Sequence, residues 1–141
     1  MTTGNLTLLP EVFPMPEVPG TLLIVDDNQV LRESLADILR LEGFTIQSAA
    51  NGAAALEQMQ KELPDLVLTD ISMPVMDGVA FFHIVRKRPE WIHIPFIFLT
   101  AYSVKYEVAS AQELIAETVL VKPVDFDHLI ETIRGRLQLK Q

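Results

Sequence analysis

Residues 21–27 read Thr-Leu-Leu-Ile-Val-Asp-Asp, an apolar and β-prone run that ends abruptly in two carboxylates. Such a run, without polar alternation, is typical of a strand that is buried on both faces, as in a parallel sheet. The pattern returns at 66–70, where Leu-Val-Leu-Thr is followed by a third aspartate. The two segments together predict a sheet that is covered on both faces and has acidic residues at the ends of its strands.

Helical and strand-like segments alternate along the chain from residue 21 onward. After the first strand, apolar residues at helical spacing end at Gly43, which is suited to the C-terminal cap of a helix. Asp125 is a good N-terminal cap for the last helix. The other strands are predicted at 44–49, 66–69, 94–99 and 119–121, and the other helices after Asn51-Gly52, over 78–86 and over 104–114. The faces expected to point inward carry Ala53, Leu56 and Met59, then Val79, Phe82 and Val85, and finally Phe126, Leu129, Ile130, Ile133 and Leu137.

Five strands alternating with five helices predict a doubly wound α/β fold with a parallel sheet. The connections are too long for hairpins, so right-handed crossovers must join the strands. Residues 1–20 stand apart, because they hold four of the nine prolines and neither Lys nor Arg. We interpret 1–20 as an extended leader and 21–139 as a single domain. No output domain is expected in this chain.

The composition argues against several classes of function. The formal charge of −8 leaves no basic face for nucleic acid, so direct nucleic-acid binding is not expected. The basic cluster Arg86-Lys87-Arg88 is interpreted as a solvated helix end. The chain has no cysteine, which excludes disulfides and thiolate metal sites. No apolar run approaches the ~18 residues that a membrane span needs, so we expect a cytoplasmic protein without membrane contact.

Reactive side chains follow four of the five predicted strands. Asp26 and Asp27 follow the first strand, Asp70 the third, Thr100 the fourth and Lys122 the fifth. Because ligands bind at the carboxyl ends of the strands in open parallel sheets, these groups are expected to converge on one rim. Three close carboxylates repel one another without a cation, and their oxygen atoms suit Mg²⁺. A hydroxyl and an ammonium beside them suit phosphoryl transfer to a carboxylate nucleophile.

The complete set resembles the receiver domain of bacterial two-component response regulators. The matching residues are Asp26-Asp27, the run from Asp70 to Gly78, Thr100-Ala101 and Lys122-Pro123. The resemblance covers about residues 20–139. It implies a flavodoxin-like single domain with a five-stranded parallel sheet and five helices, and a cis bond before Pro123.

The resemblance also implies a role for each matching residue. Asp70 would be the phosphoacceptor, Thr100 the switch hydroxyl and Lys122 the partner of the phosphoryl group. The Mg²⁺ ligands would be Asp27, Asp26 (directly or through a water molecule), Asp70 and the backbone carbonyl of Ser72. Asp77 is interpreted as an N-terminal residue of the third helix, and Met73 and Met76 as loop packing.

The function implied is a phosphorylation switch. A sensor histidine kinase or a phosphotransfer protein would donate the phosphoryl group to Asp70, and the modification would alter a protein-interaction surface. The domain would assist its own phosphorylation and dephosphorylation without being a conventional enzyme. A homodimer would form through the face of the predicted helix 104–114, the fifth strand and the last helix. The downstream partner stays open.

The chain departs from the family pattern at several positions, and these keep alternatives open. Val119 stands where the family has an aromatic ring that moves on activation, and Ile115 stands where the preceding loop usually has Gly. These departures motivate a second hypothesis, a receiver-like binding module that works without phosphorylation. A phosphatase of small phosphate monoesters is a third, but it needs an acid where Ser72 stands. Tyr102 and Ser72 are expected to tune the phosphoryl lifetime.

Overall fold

The computed structural model describes residues 20–101 and 117–140 of the chain. These residues form five strands, four α-helices and one short 3-10 helix, Pro89–Trp91. The strands are β1 (Thr21–Val25), β2 (Thr45–Ala49), β3 (Leu66–Asp70), β4 (Phe96–Thr100) and β5 (Thr118–Val121). The helices are α1 (Gln29–Leu41), α2 (Gly52–Lys61), α3 (Gly78–Arg86) and α4 (Phe126–Lys140), the last helix.

The strands form one sheet in the order β2-β1-β3-β4-β5, with every neighbouring pair parallel. From β1 the chain moves to one edge of the sheet and then returns to the other side of β1. This reversal places a topological switch point between β1 and β3, where such folds bind ligands. The predicted flavodoxin-like, doubly wound α/β fold is confirmed.

Two hydrophobic clusters lie on opposite faces of the sheet. Leu23 and Val25 of β1 pack in one cluster with buried residues of α2 and α3. Leu22 and Ile24 pack in the other with buried residues of α1 and α4. Every residue of β3 and β4 is buried, which explains why those strands lack polar alternation.

Side-chain caps fix the helix starts near the ends of the strands. Asn28, Asn51 and Asp77 cap α1, α2 and α3 by accepting a backbone hydrogen bond. Asp125 accepts hydrogen bonds from two backbone N–H groups of α4, as predicted. Gly43 follows α1 with φ 98°, a conformation that favours glycine. The interpretation of Asp77 as a helix N-terminal residue is therefore confirmed.

Three local predictions need correction. On α2 it is Ala55, and not Ala53, that is fully buried, because the inner face runs through Gly52, Ala55 and Met59. Phe126 is 36% exposed, since the first residue of a helix has no preceding turn on which to pack. The fourth strand begins at Phe96, after Pro95, which has no backbone N–H for a ladder bond.

Some predictions fall outside the described residues. These are the helix at 104–114, the altered loop at Ile115, the tyrosine at position 102 and all of the leader except Gly20. Among residues 20–101 and 117–140, no helix is long and apolar enough to cross a membrane.

Candidate functional site

Three predicted site residues meet through direct contacts at the carboxyl edge of the sheet. The Lys122 Nζ atom lies 3.0 Å from Asp26 Oδ2 and 3.1 Å from Asp70 Oδ2. Lys122 follows β5, an edge strand, and its long side chain reaches past β4 to these carboxylates. Asp27 joins the group, because one carboxylate oxygen from each of the three aspartates lies within 4.8 Å of the others. The predicted convergence is therefore confirmed by these contacts for four of the five predicted residues, Asp26, Asp27, Asp70 and Lys122.

Asp26 and Asp27 have different surroundings although they are adjacent. Asp26 is 2% exposed, and both of its carboxylate oxygens are bonded. Oδ1 accepts from the backbone N–H of Asn28 at 2.8 Å, and Oδ2 accepts from Lys122. Asp27 is exposed. Neither aspartate caps α1, because Asn28 does so by accepting from the backbone N–H of Leu31.

Asp70 is a buried carboxylate held by backbone donors. Its Oδ1 accepts from the N–H groups of Ile71 at 2.7 Å and Ser72 at 3.3 Å. Burial raises the pKa of Asp70, the hydrogen bond and charge of Lys122 lower it in part, and Asp26 raises it again. The carboxylate is therefore more basic than a solvated aspartate while it remains bonded to an ammonium.

Lys122 is a firmly protonated cation. Burial alone would lower the pKa of Lys122, but its hydrogen bonds to Asp26 and Asp70 and the charges of both carboxylates outweigh burial and raise the pKa. The peptide bond between Lys122 and Pro123 is cis, as predicted. The backbone N–H of Lys122 donates to the carbonyl of Thr100 at 2.8 Å, which joins the ends of β4 and β5.

Thr100 is the last residue of β4 and is fully buried. Its Oγ1 atom finds no hydrogen-bond partner within the described part of the chain. Most buried hydroxyls are bonded, so an unsatisfied one calls for an explanation. The Thr100 hydroxyl is therefore available to donate a hydrogen bond to a group that binds at the rim.

The loop between β3 and α3 is shaped by close backbone approach. A Cβ atom on Gly78 would collide with the backbone carbonyl oxygen of Asp70, and the N–H of Gly78 donates to the Ile71 carbonyl at 2.8 Å. Met73 is buried and Met76 packs against the core, so both serve loop packing as predicted. Val75 has φ 69°, which is rare for a β-branched residue, and no sequence pattern predicts this conformation for a valine.

The donor set fits a hard divalent cation. Asp26, Asp27 and Asp70 offer only oxygen atoms, and these are close enough for one ion to be shared. Ser72, whose carbonyl is predicted to be a further ligand, is exposed two residues after Asp70. Few carboxylates in an open site suit Mg²⁺, which keeps several of its own water molecules.

Arg86, the first residue of the basic cluster 86–88, is not part of a solvated helix end as predicted, whereas Lys87 is exposed. The Arg86 guanidinium lies 4.8 Å from the ring centre of Phe82 and 5.2 Å from that of Phe96, and it pairs with Glu117 at 3.5 Å. Arg136 of α4 approaches the same carboxylate at 3.4 Å. Glu117 lies far away in sequence, so the run of three basic residues could not reveal its partner.

A doubly wound domain with this acidic rim, lysine and buried threonine has the fold and the site of a signalling receiver. The family model of the response regulator receiver domain matches residues 22–134. The chain therefore belongs to the response regulator receiver family of two-component systems, as the sequence resemblance implied. Receiver domains are signalling domains.

Related proteins match most of the chain. Sporulation initiation phosphotransferase F of Bacillus subtilis (strain 168) is 37% identical over 119 residues, which cover 84% of this chain and 94% of that protein. A signal receiver domain of a histidine kinase from Syntrophus aciditrophicus is 31% identical with a TM-score of 0.78, over 84% of this chain and 90% of that one. The response regulator TrrA of Thermotoga maritima, solved in complex with Mg²⁺-BeF, is 34% identical with a TM-score of 0.72. The match covers 82% of this chain and 97% of that one.

Proposed function

We propose that this domain is a phosphorylation switch in which Asp70 accepts a phosphoryl group in a Mg²⁺-dependent reaction. The observation that carries the proposal is the bridge from Lys122 Nζ to Asp26 and Asp70, at 3.0 Å and 3.1 Å, within a cluster of three carboxylates. A sensor histidine kinase or a phosphotransfer protein is the proposed donor. The similarity to a protein named a phosphotransferase supports this choice.

The transfer breaks the P–N bond of a phosphohistidine and forms a P–O bond to a carboxylate oxygen of Asp70. The N–H groups of Ile71 and Ser72 fix the carboxylate for attack. Asp26, Asp27, Asp70 and the Ser72 carbonyl would hold Mg²⁺, which would neutralise charge on the phosphoryl oxygens. Lys122 supplies a second positive charge beside them, and hydrolysis of the P–O bond resets the site.

Thr100 links the site to the rest of the domain. Its buried hydroxyl has no partner among the described residues and would donate to the new phosphoryl group. Ala101 and the segment up to Glu117 follow directly, so a shift of Thr100 would be passed to the adjoining surface. Because Asp70 is consumed in the transfer, the domain is a substrate that assists its own modification and not a conventional enzyme.

The experiment is intact-mass measurement after incubation with acetyl phosphate and Mg²⁺. Wild type is expected to gain one phosphoryl group, and Asp70→Asn none. Asp77→Asn is the matched control: its carboxylate is exposed and caps α3, so this variant should be modified like wild type. Chelation of Mg²⁺ beforehand should prevent the reaction. An unmodified wild type that also fails to bind beryllofluoride would contradict the proposal.

A binding module that works without phosphorylation is the second candidate, and Val119 favours it. Val119 lies half-buried against the core cluster that contains Phe96 and Phe98, and it has no ring to swing outward. Equal partner binding by wild type and Asp70→Ala, with and without phosphodonor, would support this candidate. The leader, the absence of an output domain, the cytoplasmic location and the homodimer stay predictions.

A further inference from the structure

We propose that Arg32 is a positioning residue that holds the Asp26–Asp27 peptide in the geometry needed to bind Mg²⁺. This inference rests on the proposed function, because it assigns a supporting residue to the same metal-binding rim. Arg32 is the fourth residue of α1 and is half-buried. It belongs to none of the sequence motifs that identify the family in this chain.

The contact is a short hydrogen bond to the backbone. Arg32 Nη1 donates to the carbonyl oxygen of Asp26 at 2.6 Å, whereas ordinary N–H···O bonds are about 2.9–3.0 Å long. The Asp26 carbonyl belongs to the peptide plane that continues into Asp27. A guanidinium that fixes this carbonyl therefore also fixes the N–Cα bond of Asp27, and so limits the directions in which the Asp27 side chain can leave the backbone.

The other hydrogen bonds of Asp26 use its backbone N–H and its carboxylate, whereas its carbonyl accepts from Arg32. The backbone N–H of Asp26 bonds to Ala49 at 3.2 Å, and both carboxylate oxygens of Asp26 are already taken by Asn28 and Lys122. The backbone N–H of Arg32 bonds to the Asn28 carbonyl at 2.9 Å, as part of the helix. Arg32 therefore donates to the carbonyl groups of the residues on both sides of Asp27, which is itself exposed.

Charge and position predict opposite effects of removing Arg32. The guanidinium is a cation close to an acidic rim, so its charge by itself opposes the binding of a second cation. If charge dominated, Arg32→Ala would bind Mg²⁺ more tightly. If position dominates, the variant binds Mg²⁺ more weakly, because Asp27 loses its fixed orientation. We expect position to dominate, since the guanidinium is half-exposed and solvent screens its charge.

The experiment is a calorimetric titration with Mg²⁺ alone of wild type, Arg32→Ala, Arg32→Lys and Arg40→Ala. Partners that orient metal ligands contribute about tenfold or more to metal affinity, so Arg32→Ala is expected to raise the Kd about tenfold. Arg32→Lys keeps the positive charge but loses the planar guanidinium group, and its Kd should lie between those of wild type and Arg32→Ala. Arg40→Ala removes an exposed arginine of the same helix that pairs with the exposed Asp37, and its Kd should stay within about twofold of wild type.

Several results would overturn the inference. One is an unchanged or lower Kd for Arg32→Ala, and another is a loss of thermal stability without a change in Kd. If Arg32→Ala does not fold, Arg32→Lys decides: a Kd equal to that of wild type contradicts positioning. A wild type that binds no Mg²⁺ would contradict the proposed function and this inference with it, whereas normal wild-type binding beside unaffected Arg32 variants contradicts this inference alone.

Discussion

Two threonines at the ends of the neighbouring buried strands β3 and β4 differ in their hydrogen bonding. Thr69 Oγ1 donates to the backbone carbonyl of Asp70 at 2.9 Å. Thr100 Oγ1 is equally buried and finds no partner in the described part of the chain. The bonded Thr69 hydroxyl stabilises the resting domain, whereas burial of the Thr100 hydroxyl without a hydrogen bond destabilises it. Under the proposed function, the Thr100 hydroxyl gains a hydrogen bond when a phosphoryl group is bound.

We predict that Thr100→Val raises the free energy of unfolding by about 1 kcal/mol, because it removes an unsatisfied buried hydroxyl. Thr69→Val is the matched control and should lower it, because a bonded hydroxyl is lost. Urea denaturation measures both. Thr100→Val should also weaken beryllofluoride binding in the presence of Mg²⁺. A Thr100→Val variant as unstable as Thr69→Val would show that Thr100 is satisfied in the resting domain.

The raised pKa of Asp70 predicts how stability depends on pH. Its pKa lies above the ordinary value of 3.8, chiefly because burial disfavours the charged form. The folded state therefore holds the proton more tightly than the unfolded state, and stability from this group falls as pH rises through the folded-state pKa. At neutral pH the folded domain carries the full cost of an ionised Asp70.

Accordingly, Asp70→Asn should have a higher melting temperature than wild type near pH 7 in the absence of Mg²⁺. The difference should shrink as the pH falls towards 3.8, because wild-type Asp70 then becomes neutral as well. Melting curves between these pH values measure it. Asp37→Asn, at an exposed position on α1, should match wild type throughout. A difference that grows towards low pH would reverse the assigned direction.

The sequence identified the chemistry-bearing residues because each follows directly from a strand end. Asp26, Asp27, Asp70 and Lys122 follow apolar runs whose ends must share one edge of a parallel sheet. Arg32 could not be found in this way. Its partner is a backbone carbonyl, and any residue supplies one, so no pattern of side chains marks the contact.

At the scale of the elements, Glu117 joins three parts of the fold at the edge opposite the rim. It pairs with Arg86 of α3 and Arg136 of α4, and all three side chains are mostly buried. Arg136 also donates to the Phe96 carbonyl and to Thr118. The start of β5 is therefore tied to β4 and to the last helix through one carboxylate.

We predict that Glu117→Gln lowers the free energy of unfolding by about 1–2 kcal/mol, because two mostly buried guanidinium groups lose their countercharge. Glu42→Gln is the control. Glu42 pairs with Arg134 at a shorter distance, 2.8 Å, but the pair is largely exposed, so the cost should stay below about 1 kcal/mol. Urea denaturation compares them. An equal cost for both would mean that burial does not govern these pairs.

Two glycines in helices have opposite structural roles. Gly135 lies inside α4, and a Cβ placed there would meet nothing within 4 Å. Gly135→Ala should therefore raise the free energy of unfolding by about 1 kcal/mol through helix propensity. Gly78→Ala should lower it, because the new Cβ would strike the Asp70 carbonyl. Thermal unfolding measures both, and a destabilising Gly135→Ala would reveal a contact on that face of α4.

Element boundaries were predictable to within two residues, and helix faces less well. Capping residues such as Asn51, Asp77 and Asp125 act through local hydrogen bonds, so sequence alone marks them. On the inner face of α2, Leu56 and Met59 were predicted correctly but Ala53 was not, because a run of three alanines, 53–55, does not show which of them is buried. Which alanine is buried depends on the sheet beneath it, which is a tertiary property.

At the scale of the whole molecule, strand order produces the site. The arrangement β2-β1-β3-β4-β5 puts the ends of β1 and β3 side by side, so the aspartates after both strands share one space. Alternation of strands and helices predicted a parallel sheet, and the rule for strand ends predicted the rim. Pairings such as that of Arg86 with Glu117 depend on the final packing and were not predictable.

The central claim is that Asp70 accepts a phosphoryl group at a Mg²⁺ site completed by Thr100 and Lys122. The most direct test is a crystal structure with Mg²⁺ and beryllofluoride. We predict beryllofluoride on Asp70, in contact with Thr100 Oγ1 and Lys122 Nζ, and Mg²⁺ among Asp26, Asp27, Asp70 and the Ser72 carbonyl. Beryllofluoride absent from Asp70, or a Thr100 hydroxyl that stays unbonded beside it, would contradict the account.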